Sequence, residues 1–262
     1  MTVGTLLRDW RLRRHLSQLD LALEAGVSAR HVSFVETGRS RPSAEMVLHL
    51  AEQLDVPLRD RNQLLLAAGY APVYGQRGLD EPEMGPVREA LDLVLAGHEP
   101  YPAVVVDRHW GMVAANRAVG LLLEGVAAEL LEPPVNVLRV SLHPEGVAPR
   151  IANLSEWRAH VLDRLGRQAI STGDPALATL YAELSALPGG GPPGPLDMAA
   201  GEIAVPLRLR DGEGGELAFI STMTTFGTAT DITVSELSIE SFFPADARTA
   251  EAVHALASLP QG

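Results

Sequence analysis

The 262-residue chain predicts two domains of different class: an all-α N-terminal helix-turn-helix domain over 1–70, and an α+β C-terminal domain with an antiparallel sheet over 86–262. Three observations carry this. Ser17 to Gly38 reads as two short helices joined by a very tight turn. Beyond residue 100 the apolar pattern changes from helical spacing to short β-branched runs. Between them Tyr70 to Pro82 carries two Pro and two Gly with no periodicity, which marks 71–85 as a linker.

The first domain is predicted element by element. Thr2 caps a helix through Arg14, with Val3, Leu6, Leu7, Trp10 and Leu16 as candidate core. Ser17 caps Gln18–Ala25, whose apolar positions are taken as Leu19, Ala22 and Leu23. Gly26 supplies the positive φ that ends this helix, Val27 plugs the core, and Ser28 caps Ala29–Thr37. So short a turn fixes the crossing angle, letting the second helix lie in a major groove while the first crosses the backbone. A plain helical hairpin is the alternative. Pro42–Ser43 opens a helix carrying Met46, Val47, Leu50 and Leu54, and Pro57 opens a fifth that stops at Gly69.

In the second half, Pro86–Gly97 reads as a helix with Val87, Ala90, Leu91, Val94 and Leu95 on one face. Ala103–Val106 is a buried strand, Asp107–Gly111 a turn, Met112–Ala115 the returning strand, and Asn116 the cap of a helix through Leu123. Helices follow from Asn153 to Ile170 and from Asp174–Pro175 to Leu187. Pro188–Pro195 is a Gly/Pro-rich loop, lacking the Lys-Ser/Thr of a phosphate-binding loop. Strands are expected at Ile203–Leu209, Glu216–Phe226 and Ile232–Glu240, with a turn at Asp211–Gly215 and a last helix over Ala245–Leu259.

Composition narrows the function. Residues 1–41 hold seven Arg against four acidic residues, whereas 71–262 hold twelve Arg against twenty-five. A polyanion is therefore tolerated only by the N-terminal face. There is no Lys, so phosphates must be met by Arg, polar side chains or backbone amides. There is no Cys, which excludes disulfides, thiol switches, cysteine-ligated metals and cysteine-linked flavin. Neither a Gly-x-Ser-x-Gly elbow nor a His-Glu-x-x-His helix is present, and no His pair has metal-ligand spacing, so no catalytic residue, metal site or cofactor is assigned. A lone His such as His109 is weak ground for haem. With no signal peptide and no apolar run of membrane-spanning length, a cytoplasmic protein without a membrane partner is expected.

The expected partner of the first domain is a double-stranded DNA operator. Ser28, Ala29, Arg30, Ser33 and Phe34 lie at or near the start of the second motif helix, with Arg30 as the candidate bidentate contact to guanine. Gln18, Arg39 and Arg41 are placed to meet phosphates. Arg39 and Arg41 have a solvated loop as alternative, and Phe34 a place in the core.

Gln18, Ala22, Gly26, Glu36-x-Gly38 and Pro42–Ser43 fall in the register of the lambda-repressor-like, or Xre, DNA-binding domains, which residues 1–70 resemble. Val105 to Ala118 resembles the opening of a sensory PAS-type domain. Asn136-Val-Leu-Arg-Val-Ser-Leu-His-Pro-Glu-Gly, Asn153-Leu-Ser-Glu-Trp-Arg, Phe226-Gly-Thr-Ala-Thr-Asp-Ile-Thr and Glu240-Ser-Phe-Phe-Pro-Ala-Asp are similar to the MmyB-like bacterial regulators. That resemblance implies a homodimeric transcription factor whose PAS-like domain binds a small apolar or fatty-acid-like ligand non-covalently. The alternative is a ligand-free dimerisation or protein-interaction module. Candidate ligand contacts are Trp110, Asn116, Arg139, His143, Asn153, Trp157, Arg158, Thr222, Thr224 and Phe226, with Arg139 or Arg158 anchoring a carboxylate. The ordinary alternatives are a cap for Asn116, core for Trp157 and a turn at His143–Pro144. Glu240–Asp246 is expected to close the fold or pack between subunits rather than touch a ligand.

Overall fold

The computed structural model describes residues 1–189, 205–211 and 214–258, which divide into two compact units. The first comprises Met1–Met84 and Gly227–Ser235; the second comprises Gly85–Phe226 and Glu236–Gly262.

In the first unit, five helices are set by their caps: α1 (Val3–Arg13), α2 (Gln18–Glu24), α3 (Ala29–Glu36), α4 (Ala44–Gln53) and α5 (Leu58–Ala68). Thr2, Ser17, Ser28 and Ser43 each accept a backbone N–H of the following turn, and Ser17 with Asp20 forms a reciprocal capping box. Gly26 and Gly69 adopt φ of 63° and 85° where α2 and α5 end. The core is built on Leu7, Trp10, Leu21, Val32, Val47, Leu50, Leu54, Leu64 and Leu65, with Val3, Leu6, Leu16 and Val27 packed against it. The face expected of α2 is corrected: Leu19 and Leu23 are 59% and 72% exposed, and Leu21 with Ala22 enters the core instead. Residues 71–84, expected as a linker, are tied down within this unit. Asn62 accepts the Val73 and Tyr74 amides and donates to the Tyr74 carbonyl.

The second unit opens with α6 (Gly85–Gly97), then β1 (Ala103–Val106), β2 (Met112–Ala115), α7 (Gly120–Leu123), α8 (Val137–Leu142), α9 (Leu154–Thr172), α10 (Pro175–Ala186), β3 (Leu207–Arg210) and β4 (Glu216–Thr225). After α11 (Ile232–Ser235) come β5 (Ser238–Pro244) and α12 (Ala247–Ala257). The five strands form one antiparallel sheet in the order β2-β1-β5-β4-β3, the antiparallel sheet expected. Alternate side chains of β1 (Val104, Val106), β3 (Leu207, Leu209), β4 (Leu217, Phe219) and β5 (Phe242) share a core with Trp157, Val161 and Leu165 of α9 and Leu177, Leu180 and Leu184 of α10. Asp107 shapes the β1–β2 turn by accepting the His109 and Gly111 amides, and Trp110 takes φ 67° there.

The expected strand Ile232–Glu240 is corrected. Asp231 accepts the Thr233 amide and α11 forms at Ile232, so β5 begins only at Ser238. This α11 segment belongs to the first unit: Ile232 is buried, its amide donates to Gly75, and α11 packs on α5. The helix α8 was not expected; Asn136 caps it by accepting the Arg139 amide. Most of Pro188–Pro195, the start of Ile203–Leu209 and Leu259 lie outside the described residues.

Candidate nucleic-acid interface and ligand cavity

In the first unit α3 is fixed from beneath by a buried ion pair. Arg11 of α1 donates through Nε and Nη2 to both Glu36 oxygens at 2.7 and 2.9 Å, and through Nη1 to the Leu16 carbonyl at 2.7 Å. Gln18 Nε2 adds a third donor to Glu36 at 2.7 Å. The Glu36 hydrogen bond raises the Arg11 pKa further above its ordinary value against the opposing effect of burial. Three helices are thereby locked at one point. Sequence reading aligned Glu36 and Gln18 but not their shared partner, because only tertiary packing brings Arg11 to them.

The outward side of α3 carries the expected reading residues. Arg30 is exposed and its guanidinium lies 5.0 Å from the centre of the Phe34 ring. Arg39 lies 5.9 Å from the same ring. Phe34 is half-buried and stands outside the core cluster, so it forms an aromatic platform between two cations. Ser33 is half-buried, Ala29 packs partly against the core, and exposed Ser28 caps α3 by accepting the His31 amide at 3.1 Å. Two residues expected at phosphates have other commitments. Gln18 is bound to Glu36, and Arg41 donates to the Ala68 carbonyl at 3.1 Å with its guanidinium 5.7 Å from the Tyr70 ring.

The second unit contains a cavity of about 80 Å³ between the sheet and α7, α8 and α9. Its wall is apolar, built by residues such as Val104, Met112, Leu122, Leu138, Val161 and Phe242. Its polar groups are Ser141, Arg164, Glu240 and the Trp157 indole. Trp157 Nε1 donates to Ser141 Oγ at 3.0 Å. Arg164 Nη1 donates to Glu240 Oε1 at 3.2 Å, and the guanidinium lies 4.4 Å from the centre of the Trp110 ring. Arg164 Nε is buried with no hydrogen-bond partner among the described residues.

Of the ten residues expected around a ligand, Trp157 lines this cavity and Trp110 borders it through Arg164. The others stand elsewhere. Asn116 accepts the Ala103 amide and donates to the Leu95 and Tyr101 carbonyls, so it organises the entry to β1 and makes no side-chain cap. Asn153 clamps α9 to β3 through the Pro206 carbonyl and the Arg208 amide. Arg139 is paired bidentately with Glu183 at 2.6 and 2.8 Å. Arg158 donates to the Leu184, Ser185 and Leu187 carbonyls at the end of α10. His143 Nδ1 accepts the Glu145 amide in a turn, while Thr222 and Thr224 are exposed. Phe226 is half-buried and outside the lining.

The lining polar residues that sequence reading missed, Ser141, Arg164 and Glu240, include two with a visible signal. Trp157, Val161 and Arg164 fall at i, i+4 and i+7 of one helix face, and Glu240 shares strand parity with Phe242. Within Glu240–Asp246, expected to close the fold or pack between subunits rather than touch a ligand, Glu240 and Phe242 line the cavity. His109 Nε2 is 2.9 Å from Asp174 Oδ2. Among the described residues no group of three His, Cys, Asp or Glu could hold a metal, and no helix is long and apolar enough to cross a membrane.

Residues 87–256 match the family model of the MmyB-like transcription regulator ligand binding domain, and residues 7–60 match a helix-turn-helix model. A solved structure described as an RNA-binding light-oxygen-voltage receptor is similar at 16% identity with a TM-score of 0.28, covering 99% of this chain. The chain spans 62% of the length of that structure. No curated protein matches.

Proposed function

Because the chain belongs to the MmyB-like transcription regulators, we propose that it binds an operator as a cytoplasmic homodimer and senses a small apolar, fatty-acid-like molecule in its second unit. The observation that carries this reading is the cavity with an apolar wall and few polar groups, in one chain with a helix-turn-helix. Arg30 reads a base edge, Phe34 holds its guanidinium in place, and Arg39 meets backbone phosphate. The ligand acts by binding one dimer geometry more tightly than the other, because only differential affinity moves such an equilibrium. The cavity corresponds to roughly three water molecules' share of liquid volume. It seats a short acyl segment directly, and a longer chain by displacing the α7–α8 wall. No catalytic step is assigned.

Mass spectrometry on the natively purified chain tests the reading, with duplex affinity and melting temperature measured as acyl compounds are added. A stoichiometric apolar molecule released on denaturation, and an affinity shift of about fivefold or more with ligand, are expected. An empty protein whose melting and duplex affinity ignore saturating acyl compounds overturns it, and leaves the second unit as a dimerisation or interaction module.

A further inference from the structure

The charged groups in the cavity lining balance each other. Arg164 and Glu240 cancel each other's charge at 3.2 Å, and both are largely buried, with side-chain exposures of 19% and 5%. Among the described residues no second cation lines the space. His160 stacks on Trp157 with ring centres 5.7 Å apart. Its pKa is pushed below the ordinary histidine value, first by burial and then by the Arg164 charge, so it is neutral at neutral pH. Asp163 and Arg167, the remaining charged groups near it on α9, pair with each other at 2.7 Å in an exposed position. Arg139 and Arg158 are engaged away from the cavity.

Hydrogen-bond donors are nonetheless in excess. Glu240 occupies one N–H of a guanidinium that carries five. Arg164 Nε is buried without a partner among the described residues. Ser141 Oγ accepts from Trp157, and its own proton has no acceptor among the described residues. Surplus donors with zero net charge fit an acceptor atom that brings no charge. A carboxylate would instead bring a second negative charge beside buried Glu240, which a low-dielectric interior penalises.

We propose that the cavity takes a neutral acyl derivative, an amide, ester, lactone or ketone, through its carbonyl oxygen at Arg164, and rejects the free carboxylate. The inference rests on the ligand-sensing reading and names the chemical class of the ligand. An amide gains most, since its N–H group can donate to Glu240 while its oxygen accepts.

The test uses the full chain and two near-isosteric pairs, pentanamide with pentanoate and octanamide with octanoate, titrated at pH 8 with tryptophan fluorescence and melting temperature as readouts. The amide of each pair is expected to bind about tenfold or more tightly than the acid. Glu240→Gln removes the counter-charge and is expected to reverse the preference. Should Glu240→Gln not fold, the Arg164→Met/Glu240→Leu double variant removes both charges together, and it is expected to lose about tenfold of the amide affinity. A wild-type chain that binds the carboxylates as tightly as the amides overturns the head-group inference and leaves the sensing reading intact. A double variant that keeps full amide affinity also overturns the head-group inference. A chain that binds neither member of either pair overturns both.

Discussion

Each unit buries one arginine–glutamate pair, and the two pairs differ in how completely they are satisfied. In the first unit Arg11 and Glu36 meet through two hydrogen bonds, and Leu16 and Gln18 take up further capacity. In the second, Arg164 and Glu240 share one hydrogen bond of 3.2 Å, with Arg164 Nε left alone at the wall of a cavity. The same two residue types therefore do different work. A pair whose three guanidinium nitrogens are each engaged holds elements together, as Arg11–Glu36 holds α1, α2 and α3. A pair with spare donors beside empty space can also recognise something that enters it. Saturation, more than burial, is what distinguishes the two pairs.

The largest test of this contrast is Glu36→Ala, which leaves Arg11 buried without its counter-charge. It should cost about 3–5 kcal/mol and unfold the first unit at a lower denaturant concentration. Glu240→Gln should cost less, about 1–2 kcal/mol, because an amide oxygen still accepts and Arg164 keeps some solvent. Equal losses would break the comparison. Next is Gly4→Ala, whose new Cβ would collide with the Val35 carbonyl where α1 crosses α3. A loss of about 1–3 kcal/mol by urea melting is expected if the helices under the reading helix cannot give way.

Arg30→Ala sharpens the surface side of the same unit. It should leave stability unchanged, weaken specific duplex binding by about 1–3 kcal/mol and relax preference at one base pair. A uniform loss across sequences, with a shallower salt dependence, would make it a phosphate contact instead. The smallest effect is electrostatic and belongs to the second unit. His160 is held below the ordinary histidine pKa, so the unfolded chain binds its proton more readily. Its neutral form carries no penalty above about pH 6.5, and stability should fall as pH drops below that value. Melting curves across this range should flatten in His160→Gln.

What could be read in advance follows how local each determinant is. The caps at Thr2, Ser17, Ser28 and Ser43, and the positive φ at Gly26, depend on a few neighbouring residues, and the helix-turn-helix was legible for that reason. Strand β5 was misplaced because Ile232 to Glu240 is apolar enough for a strand, and only the Asp231 cap reveals a helical turn. The cavity lining was the least legible part. Asn116, Asn153 and Arg158 are the residue types that hold ligands, but each spends its hydrogen bonds on backbone. A polar side chain does not disclose in sequence whether its partner is a ligand or a carbonyl. Arg164 and Glu240 did carry a signal, since each places a charge on the apolar face of its own element.

The α11 segment bears on how such regulators can be cut and recombined. The chain passes between the units three times, because residues 227–235 leave the hairpin of β4 and β5 to complete the first. A fragment ending at Met84 lacks Ile232 and the amide that Gly75 accepts, so it is an unfinished domain even though it contains all five helices of the reading module. A chimera that grafts this module onto a foreign sensor should inherit the same defect unless the hairpin segment travels with it. Duplication and shuffling of the two halves are constrained accordingly: the boundary that a linear sequence suggests is not one that a working recombinant could use.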